Sequence, residues 1–248
     1  MLPLRGIWDR ARRTEAVANG FNLHAVFVLW ALLGVVSLLA LACALAPPLL
    51  ARPRPSLRDA ACPLAYFLAI GAGFMMVEIA QMQRLMIYLG HPTYGLVVVL
   101  FTLLLSSGIG SGWSHRLDPV AGRGGMGCLV ILVFLLALCG VLTPAVLSAS
   151  RWAVTPVRIA VAVALLSPPG FLMGTAFPLG LRRVSDVRGA LTPWLWGCNG
   201  AASVFASVLA VALSMAWGIS VTFWTGVACY AAAAAAFALL RRARREHA

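Results

Sequence analysis

Seven apolar runs, each long enough to cross a lipid bilayer as a helix, divide this chain of 248 residues. A membrane-spanning helix needs about 20 predominantly apolar residues. The runs cover residues 23–45, 63–88, 93–113, 128–147, 157–181, 193–217 and 219–240. They predict an all-α, polytopic transmembrane helix bundle of about seven spans. A basic N-terminal segment (1–22) precedes this bundle (23–240), and a basic C-terminal tail (241–248) follows it.

The charge content agrees with a membrane location. Only 10% of the residues are charged, against about 25% in soluble domains, and 62% are hydrophobic. This composition excludes an ordinary soluble enzyme, a disordered chain and a disulfide-rich secreted module. All 19 basic residues are arginines, and they lie in short clusters between the apolar runs. That placement is typical of membrane loops, so the lipid bilayer is the expected partner and nucleic acid is not.

The arginine clusters also predict an orientation. With seven spans, a cytoplasmic C-terminus places 12 arginines inside and 7 outside, as the positive-inside rule favours. The four arginines of the N-terminal segment argue the other way. The prediction is therefore a multi-pass protein with a cytoplasmic C-terminus, in which the span count is open by one.

The six cysteines form no CxxC pair and lie in or beside apolar runs. Buried, inert thiols are the expected reading, and neither a disulfide framework nor a metal site is predicted.

Small residues at four-residue steps predict where helices pack together. Lipid tails are as apolar as leucine, so close backbone approach must hold membrane helices together. The expected packing positions are Gly108, Gly112, Gly174, Ala202, Ala206 and Ala210. These positions fit contacts within one bundle or the faces of a homo-oligomer, and the sequence does not separate the two.

Proline predicts a break in the fifth run. Pro168 and Pro169 are followed by Gly170, and proline both removes a backbone donor and clashes with the preceding turn. We expect a kink or break near the middle of the membrane. Broken helices line substrate sites in some transporters, although a packing kink is the simpler interpretation.

The second run carries the most unusual polar residues. Glu78 is the only acidic residue inside any apolar run, and a charge there costs about 2.5–3.5 kcal/mol on insertion scales. At 100° per residue, Glu78, Gln81 and Arg84 form one stripe on a helix. Glu78 has three interpretations: a structural ion pair, a cation or proton site, and a contact with a partner or a lipid headgroup.

Two further polar residues complete the candidate site. Asn199, in the sixth run, is expected to hydrogen-bond across helices, and pairing with Glu78 or Gln81 is one hypothesis. His91 lies just beyond the stripe and would be a pH-sensitive neighbour, although a lone loop histidine is more often solvated.

No self-contained catalytic site is visible. The glycines at 108 and 110 do not form a dinucleotide loop because Trp113 stands at the third glycine position. A Walker A lysine is absent, as is any pair of acidic residues placed for two-carboxylate chemistry. The sequence therefore predicts no catalytic residue, no S-adenosylmethionine site and no cofactor.

Several motifs together resemble a known family. They are GFMMVEI (73–79) with Gln83 and Arg84, LGHPTY (89–94), LSSGIGS (105–111), GxxFPxGLR (174–182) and WGxNGxxSV (196–204). The combination is similar to the membrane half of bacterial spermidine-synthase-like integral membrane proteins, from about residue 60 onward. In that family a soluble Rossmann domain resembling aminopropyltransferases is joined to the membrane segments, and this chain has no counterpart of it.

The resemblance implies a bacterial inner-membrane module that is non-catalytic by itself. Such a module would act with a separate soluble aminopropyltransferase-like partner, or remain from a protein that lost that domain. Two alternatives stay open. One is a transporter or channel for a small cation or polyamine that uses Glu78, and the other is the membrane subunit of an enzyme.

Overall fold

The computed structural model describes residues 27–43, 57–117, 123–188 and 191–246, and these residues form seven α-helices and no strand. The helices are α1 Phe27–Cys43, α2 Leu57–Leu89, α3 Pro92–Trp113, α4 Arg123–Ser150, α5 Thr155–Arg188, α6 Thr192–Trp217 and α7 Ile219–Glu246. A single 3-10 turn, Ser114–Arg116, follows α3. The all-α fold class is confirmed.

Six of these helices, α2 to α7, are long and apolar enough to cross a membrane. The ends of these helices lie within about seven residues of the ends of the apolar runs. The two agree because a helix that crosses the hydrocarbon core must be apolar over that length. The first expected span is represented by α1, whose described part has 17 residues. The rest of that run and the N-terminal segment lie outside the described residues. At the other end, α7 continues to Glu246, so most of the expected basic tail is helical.

Consecutive spans are joined by short connections, which makes them antiparallel neighbours. The α2–α3, α4–α5 and α6–α7 connections lie on one side of the bundle, here called the Ser150 side. The α3–α4 and α5–α6 connections lie on the opposite side, here called the Arg116 side. Two of the turns on the Ser150 side need glycine: Gly90 has φ +75° and Gly218 has φ +92°.

Helix α2 occupies the centre of the bundle and packs against α3, α5, α6 and α7. Glycines in this helix allow close approach: Gly71 lies against Asn199 of α6, and Gly73 lies against the ring of Tyr230 of α7. Reciprocally, Gly226 of α7 lies against Val77 of α2. The core between these helices is apolar and aromatic and includes Tyr66, Phe67, Phe223, Tyr230 and Phe237.

The seam between α3 and α5 is also built on glycine. A side chain at Gly110 would overlap the backbone carbonyl of Phe171, and one at Gly174 would overlap the carbonyl of Ser107. Gly170 in turn lies against the hydroxyl of Ser106. Gly174 therefore packs within one chain. Of its two interpretations, a contact within the bundle and a homo-oligomer face, the structure supports the first.

The expected packing positions are therefore partly right. Ala202, Ala206 and Ala210 are buried, and the last two pack with Met76 of α2. Gly108 and Gly112, by contrast, are exposed and meet nothing within 4 Å. Gly108 and Gly112 therefore make no helix contact within the described bundle, because the α3 face that packs on α5 contains Gly110, about 200° around the helix from either. Their place in a homo-oligomer face stays a prediction.

The expected break in α5 is absent. The helix runs without interruption from Thr155 to Arg188 and contains Pro168, Pro169 and Pro178. Proline at 169 leaves the carbonyl of Leu165 without its helical donor. The thiol of Cys139 on α4 donates to that carbonyl, with a sulfur–oxygen distance of 3.9 Å. A neighbouring helix thus supplies part of what the proline removes, as membrane helices allow.

Candidate functional site

The polar stripe of α2 lies inside the bundle. Glu78 is 6% exposed and Gln81 is 2% exposed, while Gln83 and Arg84 are half-buried. These side chains are shielded because α2 is central, so a residue on almost any of its faces meets another helix instead of lipid. Glu78, Gln81, Gln83 and Arg84 all lie on this one helix.

Glu78 is buried within this stripe. The Tyr230 ring of α7 packs against Gly73 of α2, five residues before Glu78. Within the described ranges, no hydrogen bond or ion pair reaches the Glu78 carboxyl. The structural ion pair that the sequence offered as one interpretation is thus not formed by these residues.

The two glutamines add unpartnered acceptors. Gln81 Oε1 and Gln83 Oε1 are both buried and receive no hydrogen bond from any part of the chain that the structure describes. Gln81 is three residues from Glu78, which places the two side chains on adjacent turns of one helix face. Gln81 therefore presents a buried oxygen acceptor that no described donor satisfies, one turn from the Glu78 carboxyl group.

Arg84 points away from Glu78, toward the Ser150 side. Its Nη2 donates to Ser220 Oγ at 3.1 Å, and its guanidinium carbon lies 4.9 Å from the centre of the Phe223 ring. Its Nη1 is buried and has no partner among the described residues. Six residues separate Arg84 from Glu78, which is about 9 Å along the helix axis, so the two charges do not pair.

Asn199 does not join the stripe, and the hypothesis that it pairs with Glu78 or Gln81 was wrong. Its Nδ2 donates to the backbone carbonyl of Phe67 at 2.8 Å. Phe67 precedes Glu78 by eleven residues, or about 16 Å along α2. The glycine at 71 brings α6 against α2 at this depth, and that approach fixes the amide far from the carboxyl group.

His91 also lies outside the stripe. It is exposed at the N-terminus of α3, and its ring contacts Tyr94 with 5.6 Å between centroids. Two turns or more of α2 separate it from the buried acceptors, so the solvated interpretation fits its position.

The residues of α7 that pack on this part of α2 were not predicted: Ser220, Phe223, Gly226 and Tyr230. A partial signal was present, because Gly226 is a small residue in an apolar run and small residues allow close helix approach. Which helix packs against Gly226 depends on tertiary structure, which the sequence alone does not reveal.

No group of three His, Cys, Asp or Glu side chains that could hold a metal ion is found in the described part of the chain. All six cysteines are free thiols; Cys128 and Cys198 are buried and Cys43 is exposed.

No model of a known protein family matches this chain, and neither curated proteins nor solved structures give a match. The resemblance to the spermidine-synthase-like membrane proteins stays a prediction from the motifs.

Proposed function

We propose that this chain is a multi-pass membrane module that performs no covalent chemistry by itself and exchanges a proton or a small cation at Glu78. The observation that carries this proposal is the burial of Glu78 in the bundle, three residues from Gln81, whose buried Oε1 receives no hydrogen bond from the described residues.

The proposal follows from the cost of burying acceptors. A carboxyl group inside a membrane must be neutralised by a proton, by a cation or by a basic side chain. Arg84 is about 9 Å away along the helix and bonds Ser220 instead. A proton or a cation is therefore the counter-charge that fits Glu78.

The chemistry of the pair favours a hard cation or a proton. Carboxylate and amide oxygens are the ligands that hard cations prefer.

Proteoliposome flux tests the proposal. Purified wild-type protein should move protons, Na⁺, K⁺ or a polyamine down an imposed gradient. Glu78→Gln should abolish this flux and still give a folded, monodisperse protein, because the amide keeps the size of the side chain and removes its charge.

Two further variants sharpen the result. Glu78→Asp should retain a measurable part of the flux, and Asp118→Asn, which alters an acidic residue outside the apolar runs, should leave it unchanged. Flux that persists at the wild-type rate in Glu78→Gln would overturn the proposal, as would a wild-type protein that moves none of these cations.

The resemblance supports two finer proposals. The cation would be a polyamine, and a separately encoded aminopropyltransferase-like protein would bind the module at the bacterial inner membrane. The charge distribution favours the Arg116 side for such binding: by sequence position 12 arginines lie toward that side, against three, Arg84, Arg151 and Arg158, toward the Ser150 side. The positive-inside rule favours a cytoplasmic location for the Arg116 side.

Co-purification tests this partner. The purified module should retain a soluble domain of this class and should lose it when Arg182 and Arg183 are replaced by glutamine. No retention by the wild-type module would contradict the proposal.

A further inference from the structure

A cavity of about 460 Å³ opens on the Ser150 side, between the end of α2, the end of α4 and the start of α5. Three of its eight lining side chains are arginines, Arg84, Arg151 and Arg158. No acidic side chain of the described residues lines it. The cavity is therefore a concentrated positive site at the end of a membrane bundle.

Two polar atoms in its wall have no partner within the described chain. Arg84 Nη1 is buried and unbonded, and so is the hydroxyl of Thr143, a residue with 0% exposure. An unsatisfied buried donor costs about 1–3 kcal/mol. Both atoms are donors that an anion bound in the cavity would satisfy.

Arg158 is held in place by backbone carbonyls. Arg158 donates from Nε to Ala153 O at 2.9 Å, from Nη1 to Tyr88 O at 3.3 Å, and from Nη2 to Arg151 O. These acceptors are neutral carbonyls, so the charge of Arg158 is oriented but not neutralised. Arg151 is exposed, with its guanidinium carbon 4.6 Å from the centre of the Trp152 ring.

The remaining wall is apolar and continues to the outside of the bundle. Pro144 and Leu147 of α4 line the cavity together with Ile87 of α2, which is 76% exposed. Tryptophan and tyrosine favour the headgroup level of a bilayer, and Trp152 and Tyr88 lie at this end of the spans. The cavity thus has a cationic part at headgroup level and an apolar part that faces lipid.

We propose that this cavity binds a phosphate group, held by Arg84, Arg151, Arg158 and the Thr143 hydroxyl. Guanidinium groups match phosphate oxygens in geometry and charge. The apolar wall favours the headgroup of an anionic phospholipid as the source of that phosphate, and a small soluble phosphate is the other source. This site is separate from Glu78 and does not depend on cation exchange there.

The test compares ligands that differ only in phosphate. The purified full chain in a neutral detergent receives dioleoylphosphatidylglycerol, dioleoylglycerol, inorganic phosphate or glycerol 3-phosphate. The unfolding temperature and native mass spectrometry report binding. We expect dioleoylphosphatidylglycerol to bind and stabilise the protein and dioleoylglycerol to do neither. Stabilisation by the soluble phosphates alone would still support a phosphate site and would assign it to a soluble ligand.

Two variants locate the site. Thr143→Val keeps the shape of the side chain and removes a hydroxyl that has no protein partner, so the protein should fold normally. Arg84→Gln removes the buried donor. Each should weaken binding about tenfold, as expected for one charge-assisted hydrogen bond. Thr225→Val and Arg116→Gln are matched controls away from the cavity and should bind as the wild type does.

Two results would overturn the proposal. One is that neither the phospholipid nor the soluble phosphates bind better than dioleoylglycerol. The other is that Thr143→Val binds the phosphate ligand as tightly as the wild type, which decides the matter even if Arg84→Gln does not fold.

Discussion

At the scale of single residues, the polar stripe of α2 divides into two chemically different ends. The deep end holds the acceptors of Glu78 and Gln81, and the outer end holds the donors of Arg84. The 9 Å between Glu78 and Arg84 keeps the ends from neutralising each other. We infer that each end binds a ligand of opposite charge: a cation or proton at Glu78 and Gln81, and an anion at Arg84.

Asn199 has a structural role that a substitution measures. Asn199→Leu removes the hydrogen bond to the Phe67 carbonyl and places a branched side chain against Gly71. Interhelical hydrogen bonds of this kind contribute about 1 kcal/mol. Chemical unfolding in mild detergent should show a loss of at least that size. Ser207→Ala, on an exposed part of α6, is the control, and equal stability of Asn199→Leu and the wild type would contradict the assigned contact.

Tyr66 connects α2 to α5 through one buried hydrogen bond. Its hydroxyl donates to the carbonyl of Ala176 at 2.6 Å, and the residue has 0% exposure. Tyr66→Phe should lower the free energy of unfolding by about 1 kcal/mol, since the ring is retained and only the bond is lost. The exposed Tyr94 provides the comparison: Tyr94→Phe should have no measurable effect. A Tyr66→Phe protein as stable as the wild type would argue against this contact.

At the scale of elements, the α3–α5 seam depends on which glycine faces the partner helix. Gly110→Ala should reduce the free energy of unfolding by about 1–3 kcal/mol. The new methyl group overlaps the Phe171 carbonyl, and relieving that overlap requires a shift of the helix backbone. Gly108→Ala adds the same methyl group two residues away, where nothing lies within 4 Å. It should be neutral or slightly stabilising, since alanine is the better helix former.

The outcome of that pair is read by unfolding in detergent. A larger loss for Gly108→Ala than for Gly110→Ala would show that α3 presents the opposite face to α5.

The same seam shows what a sequence can and cannot reveal about helix packing. Three glycines at 108, 110 and 112 all satisfy the requirement for small residues, but they point to two opposite faces of α3. The rotation of α3 is set by its contacts with α5, so the spacing alone did not identify Gly110 as the glycine that packs within the bundle. The continuity of α5 is similar: the prolines predict lost donors correctly, while the thiol of Cys139 that reaches the freed carbonyl is on another helix.

At the scale of the whole molecule, the ends of the six spans α2 to α7 were predictable to within about seven residues. Span length depends on bilayer thickness, which is the same for every helix. The central position of α2 was not predictable, because all the helices are apolar on most faces and hydrophobicity does not rank their partners. The presence of Glu78 in the second apolar run was the best indication of the central position of α2, since a charged residue favours a place inside the bundle.

The orientation of the bundle makes a further prediction. Alkaline phosphatase inserted after Trp152, an 82% exposed residue of the α4–α5 connection, should be active, because the arginine distribution predicts that the Ser150 side faces away from the cytoplasm. The same enzyme inserted after His115, on the Arg116 side, should be inactive. The reverse pattern would invert the topology and would move the proposed phosphate cavity to the cytoplasmic leaflet.

Chemical modification of Glu78 tests whether its carboxyl group exchanges a proton or a small cation. A membrane-permeant hydrophobic carbodiimide reacts with protonated carboxyl groups inside a bilayer, and mass spectrometry identifies the residue that carries the adduct. The account predicts an adduct on Glu78 that is absent in Glu78→Gln and that diminishes as the exchanged cation is added or the proton concentration is lowered. An unmodified Glu78, or a level of modification that neither protons nor any cation changes, would contradict the account.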